Sequence, residues 1–233
     1  MEDDMPTQDE LKQQAAQQAA AMVQPHTVLG VGTGSTVAYF IDALAARNQQ
    51  TPLNLKALVT TSSRSQKQLE ANGFVVSELA DIDQVDLTID GADRVDHQLN
   101  GIKGGGAAHT LEKNVAINSK KNLWIVDESK IVTRLGGFPL PVEVLPVSAK
   151  QTFAKFAAAG LKPEFRLKAD GSRLTTHYGN WIIDLHVDPL PIPAGLAAYL
   201  DQTVGVVEHG LFLNIADEVL IATSKGTIEH WVR

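Results

Sequence analysis

Residues 27–36 read Thr-Val-Leu-Gly-Val-Gly-Thr-Gly-Ser-Thr, and the fold is decided there. The apolar run over 27–31 has the length of a buried strand. It breaks into Gly32-Thr33-Gly34-Ser35-Thr36. From Val37 to residue 46 the apolar spacing turns helical, with Phe40, Ile41 and Leu44 on one face. Strand, glycine turn and helix form the opening half of a βαβ unit. Upstream, residues 7–22 predict a helix: Thr7 can cap it, Glu10 stands three residues on, and Pro25 ends it. Residues 1–6 read as a loose start. Downstream, 55–59 predicts a strand ending in Thr60, Thr61, Ser62 and Ser63. A helix over 65–72, stopped by Gly73, and a brief strand over 74–76 follow.

The alternation continues. A strand over 85–89 runs into Asp90-Gly91-Ala92-Asp93, a helix over 107–118 follows Lys103-Gly104-Gly105-Gly106, and 123–126 is another strand. Short apolar runs between helices predict an α/β fold with a Rossmann-like, mostly parallel sheet. The pattern changes at Gly136-Gly137-Phe138-Pro139. Beyond it the order is strand from Val142, helix 149–159, strand 164–167, strand 181–187, helix 194–202, strand 204–207. This βαββαβ order predicts a smaller ferredoxin-like α+β domain over 136–210, a possible oligomer interface. Residues 1–135 and 211–233 form the first, catalytic domain. The tail, 218–222 and 227–232, reads as a hairpin around Lys225-Gly226 that returns to the first sheet.

Composition narrows the chemistry. The 233 residues contain no cysteine, which excludes disulfides, thiolate catalysis and cysteine-based zinc sites. Lys plus Arg is 20 against 27 Asp plus Glu, a net charge of -7, which argues against nucleic acid as a partner. No apolar run reaches the length of a membrane span, and the acidic, polar start does not resemble a signal peptide. A cytoplasmic protein is expected. The seven histidines show no metal-ligand spacing and read as surface or packing residues.

Three segments can carry chemistry. In 30–36 the glycines allow close backbone approach, while Thr33, Ser35, Thr36 and the following helix start offer hydrogen-bond donors, a combination suited to a phosphate monoester. Val37 replaces the third glycine of a dinucleotide fingerprint, and no lysine completes a Walker loop. The bland reading is a turn that only packs a helix on a sheet. Asp90 and Asp93, with Gly91 and Ala92, end an apolar strand, the edge at which open α/β sheets bind ligands. Paired acids can trade protons; a capping turn is the alternative. Lys103 precedes Gly104, Gly105 and Gly106, a run that is costly to order and that ends in a helix bearing Glu112. Lysine supplies a compact cation for an oxyanion; a flexible linker is the alternative. Together the three suit proton transfer on a small phosphorylated molecule.

GVGTGST, DGAD, KGGGAA followed by Thr110, Glu112 and Lys113, and Phe138-Pro-Leu-Pro-Val-Glu143-Val occur in this order and resemble the ribose-5-phosphate isomerase A family from about Thr7 to the C-terminus. The resemblance implies an α/β domain with a ferredoxin-like domain, no cofactor, no metal, and a homodimer or homotetramer. It implies interconversion of D-ribose 5-phosphate and D-ribulose 5-phosphate in the pentose phosphate pathway. Glu112 then resembles the base acting through a cis-enediolate, and Asp90, with Asp93 beside it, the acid for ring opening. Lys103 and residues 104–106 resemble the groups that steady the enediolate. Thr33, Gly34, Ser35 and Thr36 resemble the substrate loop, and Lys12 and Lys130 the phosphate-neutralising lysines. Arg94, His109 and Leu111 depart from the family pattern. The competing expectation is a non-catalytic sugar-phosphate sensor. The roughly 25 residues before the first strand are too few for a helix-turn-helix unit.

Overall fold

The computed structural model describes residues 6–233. The loose start expected over 1–6 falls almost wholly outside them. In chain order the elements are α1 (Gln8–Met22), β1 (Val28–Val31), α2 (Ser35–Gln50), β2 (Ala57–Thr60), α3 (Ser63–Ala71) and β3 (Leu87–Asp90). Then come β4 (Arg94–Val95), β5 (Gly101–Ile102), α4 (His109–Ile117), β6 (Asn122–Asp127) and β7 (Leu140–Val144). The remainder is α5 (Ala149–Ala158), β8 (Pro163–Phe165), β9 (Trp181–Leu185), α6 (Pro193–Asp201), β10 (Val206–His209), β11 (Leu211–Phe212), β12 (Glu218–Ala222) and β13 (Ile228–Val232). Among the described residues no helix is long and apolar enough to cross a membrane.

The chain forms two compact units. The first takes the chain through Ala92, with Leu111–Ile131 and Asn214–Arg233; the second takes Asp93–Thr110 and Val132–Leu213. The sequence reading drew the smaller domain as 136–210, without the stretch that follows DGAD.

The first unit carries a six-stranded sheet of order β13-β12-β6-β3-β1-β2, parallel except for β13. The expected return of the C-terminal hairpin to this sheet is seen. Leu29, Val31, Ile89, Leu123, Ile125 and Leu220 from its strands bury against Phe40, Ile41 and Leu44 of α2 and the alanine face of α1. The capping box read from Thr7 and Glu10 forms, with Thr7 N–H 2.7 Å from Glu10 Oε2.

The second unit carries an antiparallel sheet of order β10-β7-β9-β8 and a three-stranded sheet of order β11-β5-β4. Phe156 of α5 and Leu200 of α6 pack on Val142, Val144, Ile183 and Leu185 of the larger sheet. Pro193 stands at the first position of α6, where its missing N–H costs nothing.

Two expectations are corrected. Residues 74–76 form no strand: Phe74 and Val76 pack on the core, but Val75 is exposed and no ladder joins the stretch to the sheet. Strands β4, β5 and β11, two residues each, lie where the sequence predicts no strand. They are too short for any periodicity to register.

Candidate active site

In the first unit the residues singled out in the sequence gather where the parallel strands end. β1 and β3 are hydrogen-bonded neighbours, so the loops that leave them emerge side by side. Asp90 closes β3 and is buried. Its Oδ1 accepts the N–H of Thr33 at 3.0 Å and of Gly91 at 2.7 Å. A Cβ on Gly32 would lie 1.9 Å from Asp90 Cγ, so only glycine lets the two segments meet. Thr33 Oγ1 shares a 2.8 Å hydrogen bond with Thr61 Oγ1, and Ser65 Oγ donates to the Gly32 carbonyl at 2.8 Å. Thr61 and Ser65 were not read as functional. The sequence marks Thr61 only as one of the hydroxyl residues that end the second strand, and does not mark Ser65.

Gly34 precedes α2 with a φ of 123°. No side chain caps α2 and no acid stands in its first turn. Its leading N–H groups and dipole are therefore presented beside exposed Ser35 and half-buried Thr36, an arrangement suited to an anion.

Helix α4 lies along the same sheet. A Cβ on Gly30 would meet Val115 at 3.0 Å, and Ser119 Oγ shares a 2.7 Å hydrogen bond with Thr88 Oγ1 of β3. The end of the helix is tied to the strand's approach, because Val85 N–H donates to the Asn118 carbonyl at 3.0 Å. Glu112 stands in the first turns of α4, about two turns before Ser119, and is buried. At the neighbouring strand end, Asp127 Oδ1 accepts the Ser129 N–H at 3.0 Å and caps the turn Glu128–Lys130, which sets Lys130 half-buried at the same edge. Lys12 stands in the opening turns of α1, 3.3 Å from Asp9 Oδ1.

The second unit holds Asp93, Lys103 and the glycine run. The Lys103 N–H donates to the Gly210 carbonyl at 2.9 Å. Its side chain is buried, with the ammonium 5.3 Å from the centroid of the Phe212 ring, a cation–π geometry. Gly104 has a φ of 105°, and a Cβ there would meet Pro141 at 2.7 Å and His109 at 2.8 Å. Both torsion and surroundings exclude a side chain. Gly105 N–H donates to Asp93 Oδ2 at 2.8 Å. Arg94 turns to the Gly137 carbonyl at 2.7 Å and lies 5.7 Å from the Phe138 ring centroid. His109 is fully buried beneath Gly104.

Asp201, Glu208 and His209 bring ligand-type atoms within 4.8 Å of one another, which the histidine spacing did not suggest. His209 Nδ1 accepts the Leu211 N–H at 3.2 Å, which leaves the ring proton on Nε2, 3.1 Å from Asp201 Oδ1. The nitrogen facing the acids carries a hydrogen where a metal needs a lone pair, so the trio is a hydrogen-bonded cluster.

Fold and strand-end groups define a class: an α/β protein that can hold a small anion beside acid–base carboxylates. The family profile of ribose 5-phosphate isomerase A (phosphoriboisomerase A) matches residues 57–226. The chain is 69% identical to the ribose-5-phosphate isomerase A of Lactobacillus johnsonii over 222 residues, 95% of this chain and 96% of that protein. The crystal structure of ribose 5-phosphate isomerase A from Neisseria gonorrhoeae matches with a TM-score of 0.90 at 39% identity, covering 98% of each chain. A D-ribose-5-phosphate isomerase solved in complex with phospho-erythronic acid matches with a TM-score of 0.94 at 32% identity, covering 98% of this chain and all of that one. The chain belongs to the ribose 5-phosphate isomerase A family.

Proposed function

We propose that the chain interconverts D-ribose 5-phosphate and D-ribulose 5-phosphate through a cis-enediolate, with Glu112 as the base. The family supplies the reaction; the residues supply the route. The observation that carries it is the union of acid and anion loop: Asp90 Oδ1 holds the Thr33 and Gly91 amides in one hydrogen-bonded piece. Thr33, Gly34, Ser35 and Thr36 take the phosphate at the start of α2, and Lys12 and Lys130 balance its charge. Asp90, assisted by Asp93 and by the Gly91 and Ala92 backbone, donates a proton for ring opening. The Glu112 carboxylate then takes the proton from C2, and the electron pair moves through C1 to the aldehyde oxygen. The O2 proton then passes to O1 and Glu112 returns its proton to C1, which leaves the C1 hydroxyl and the C2 ketone. Lys103 and the backbone of Gly104, Gly105 and Gly106 stabilise the charge on the enediolate oxygens.

This route moves protons only and calls for no metal or redox cofactor. Purified chain should therefore convert ribose 5-phosphate at an unchanged rate in excess EDTA. No turnover of ribose 5-phosphate, with or without chelator, contradicts the function. The sheet order β10-β7-β9-β8 with the βαββαβ connection supports a ferredoxin-like second domain. A cytoplasmic homo-oligomer, dimer or tetramer, completes the proposal, and light scattering on the purified chain measures the assembly.

A further inference from the structure

Arg166 follows β8 in the second unit and belongs to none of the motifs read from the sequence. Its Nε donates to Asp184 Oδ2 at 2.8 Å and its Nη2 to Asp184 Oδ1. Asp184 sits within β9, opposite Pro141 of β7 and Glu164 of β8. This fork offsets the two charges and fixes the guanidinium plane. Nη1 is then aimed at the glycine run, 2.8 Å from the Gly104 carbonyl oxygen and 3.1 Å from that of Gly105. A side chain from the antiparallel sheet therefore grips two successive carbonyls of a segment that would otherwise sample many backbone states.

The grip has a direction. In a trans peptide group the carbonyl and the N–H point opposite ways. Drawing the Gly104 and Gly105 carbonyls onto Arg166 turns the N–H groups of Gly105 and Gly106 to the opposite face. The Gly105 N–H is found there, on Asp93 Oδ2 at 2.8 Å. Arg166 thus sets which face of the glycine run presents donors.

We propose that Arg166, locked by Asp184, is a positioning residue of the isomerase: it presets the Gly105 amide onto Asp93 and the Gly106 amide toward the oxygens of the sugar phosphate. The inference rests on the reading that the glycine run and Lys103 serve the substrate. Preset donors need no reorganisation as charge develops, which is where such donors gain their effect. A lysine at 166 could not fork Asp184 and hold both carbonyls at once.

The test compares Arg166→Ala, Arg166→Lys and Lys103→Ala in the full chain, measuring kcat, KM and Tm. Arg166→Ala should lower kcat about 100-fold, the scale of a misplaced reacting geometry, with Tm within a few degrees of the parent. Arg166→Lys should recover little. Guanidinium chloride at low, non-denaturing concentration should restore part of the Arg166→Ala kcat and leave the parent and Lys103→Ala unchanged. An Arg166→Ala kcat near the parent's, with Lys103→Ala inactive, overturns the inference and leaves the reading of the glycine run standing. A fully active Lys103→Ala overturns that reading itself. A loss of kcat that guanidinium does not rescue and that follows a fall in Tm assigns Arg166 a structural role and also overturns the inference. Should Arg166→Ala not fold, Asp184→Asn loosens the fork while keeping its shape, and an unchanged kcat there overturns it equally.

Discussion

The tightest constraint in the first unit is a missing side chain. Gly32 leaves room for Asp90, whose Cγ would stand 1.9 Å from an added Cβ. Gly32→Ala must push the carboxylate off the Thr33 and Gly91 amides. The expected outcome is a fall in kcat/KM of about 100-fold in a protein that still folds, checked by steady-state kinetics alongside circular dichroism. Ser35→Ala with Thr36→Ala should instead act on binding. The hydroxyls go, the helix-start amides stay, and KM should rise about tenfold or more with kcat little changed. An unchanged KM would place the phosphate elsewhere. At this scale the sequence was informative where glycine forced the issue. Gly32, Gly34 and Gly104 to Gly106 are costly to order, so their presence between apolar runs already signalled a close approach. Thr61, Ser65 and Arg166 were silent because ordinary residue types acquire their role only from partners far along the chain: the Arg166 contact to Gly104 spans 62 positions.

Elements obeyed local rules where they were long enough to have a period. α1 has its capping box, β1 and β3 end where their glycine and aspartate turns begin, and α6 starts on a proline. β4, β5 and β11 exist because they pair with each other, and pairing is not a local property. Residues 74–76 show the reverse: strand-like composition without a partner. Entry into β1 also carries a pH dependence. Asp86 holds the Val28 N–H at 2.9 Å and the Lys120 ammonium at 2.7 Å. The hydrogen bond to Lys120 first, and that to Val28 second, hold its carboxyl below the usual carboxylate range against a smaller opposing effect of burial. A lowered folded-state pKa means that the stabilisation is present above the unfolded value and is lost as pH falls through the folded one. Asp86→Asn should therefore lower Tm at pH 7, and the gap from the parent should close below about pH 4. A gap that does not narrow as pH falls below about 4 would contradict this assignment.

The whole chain builds two cores from interleaved segments, crossing between the units after Ala92, Thr110, Ile131 and Leu213. The change of pattern near Gly136 was legible because punctuation by glycine and proline is local. The excursion over Asp93–Thr110 was not, since its membership is set by contacts with β7 and β11. Within the second unit, Glu143 is the buried charge on which order depends. It accepts from Thr110 Oγ1, from Thr176 Oγ1 at 2.8 Å and from Asn180 Nδ2 at 2.8 Å. The sequence marked it only as part of a proline-rich motif. Glu143→Ala removes the acceptor shared by the buried Thr176 hydroxyl and the half-buried Thr110 and Asn180 groups and should cost about 2–3 kcal/mol, read as a lower midpoint in denaturant unfolding.

The proton-transfer account stands or falls on Glu112→Gln, which keeps the shape of the side chain and removes its ability to take a proton. Isomerisation of ribose 5-phosphate by that variant should fall by about 1000-fold or more, while ribose 5-phosphate still binds it by calorimetry. A variant that binds ribose 5-phosphate and turns it over within a few-fold of the parent would show that another group abstracts the C2 proton.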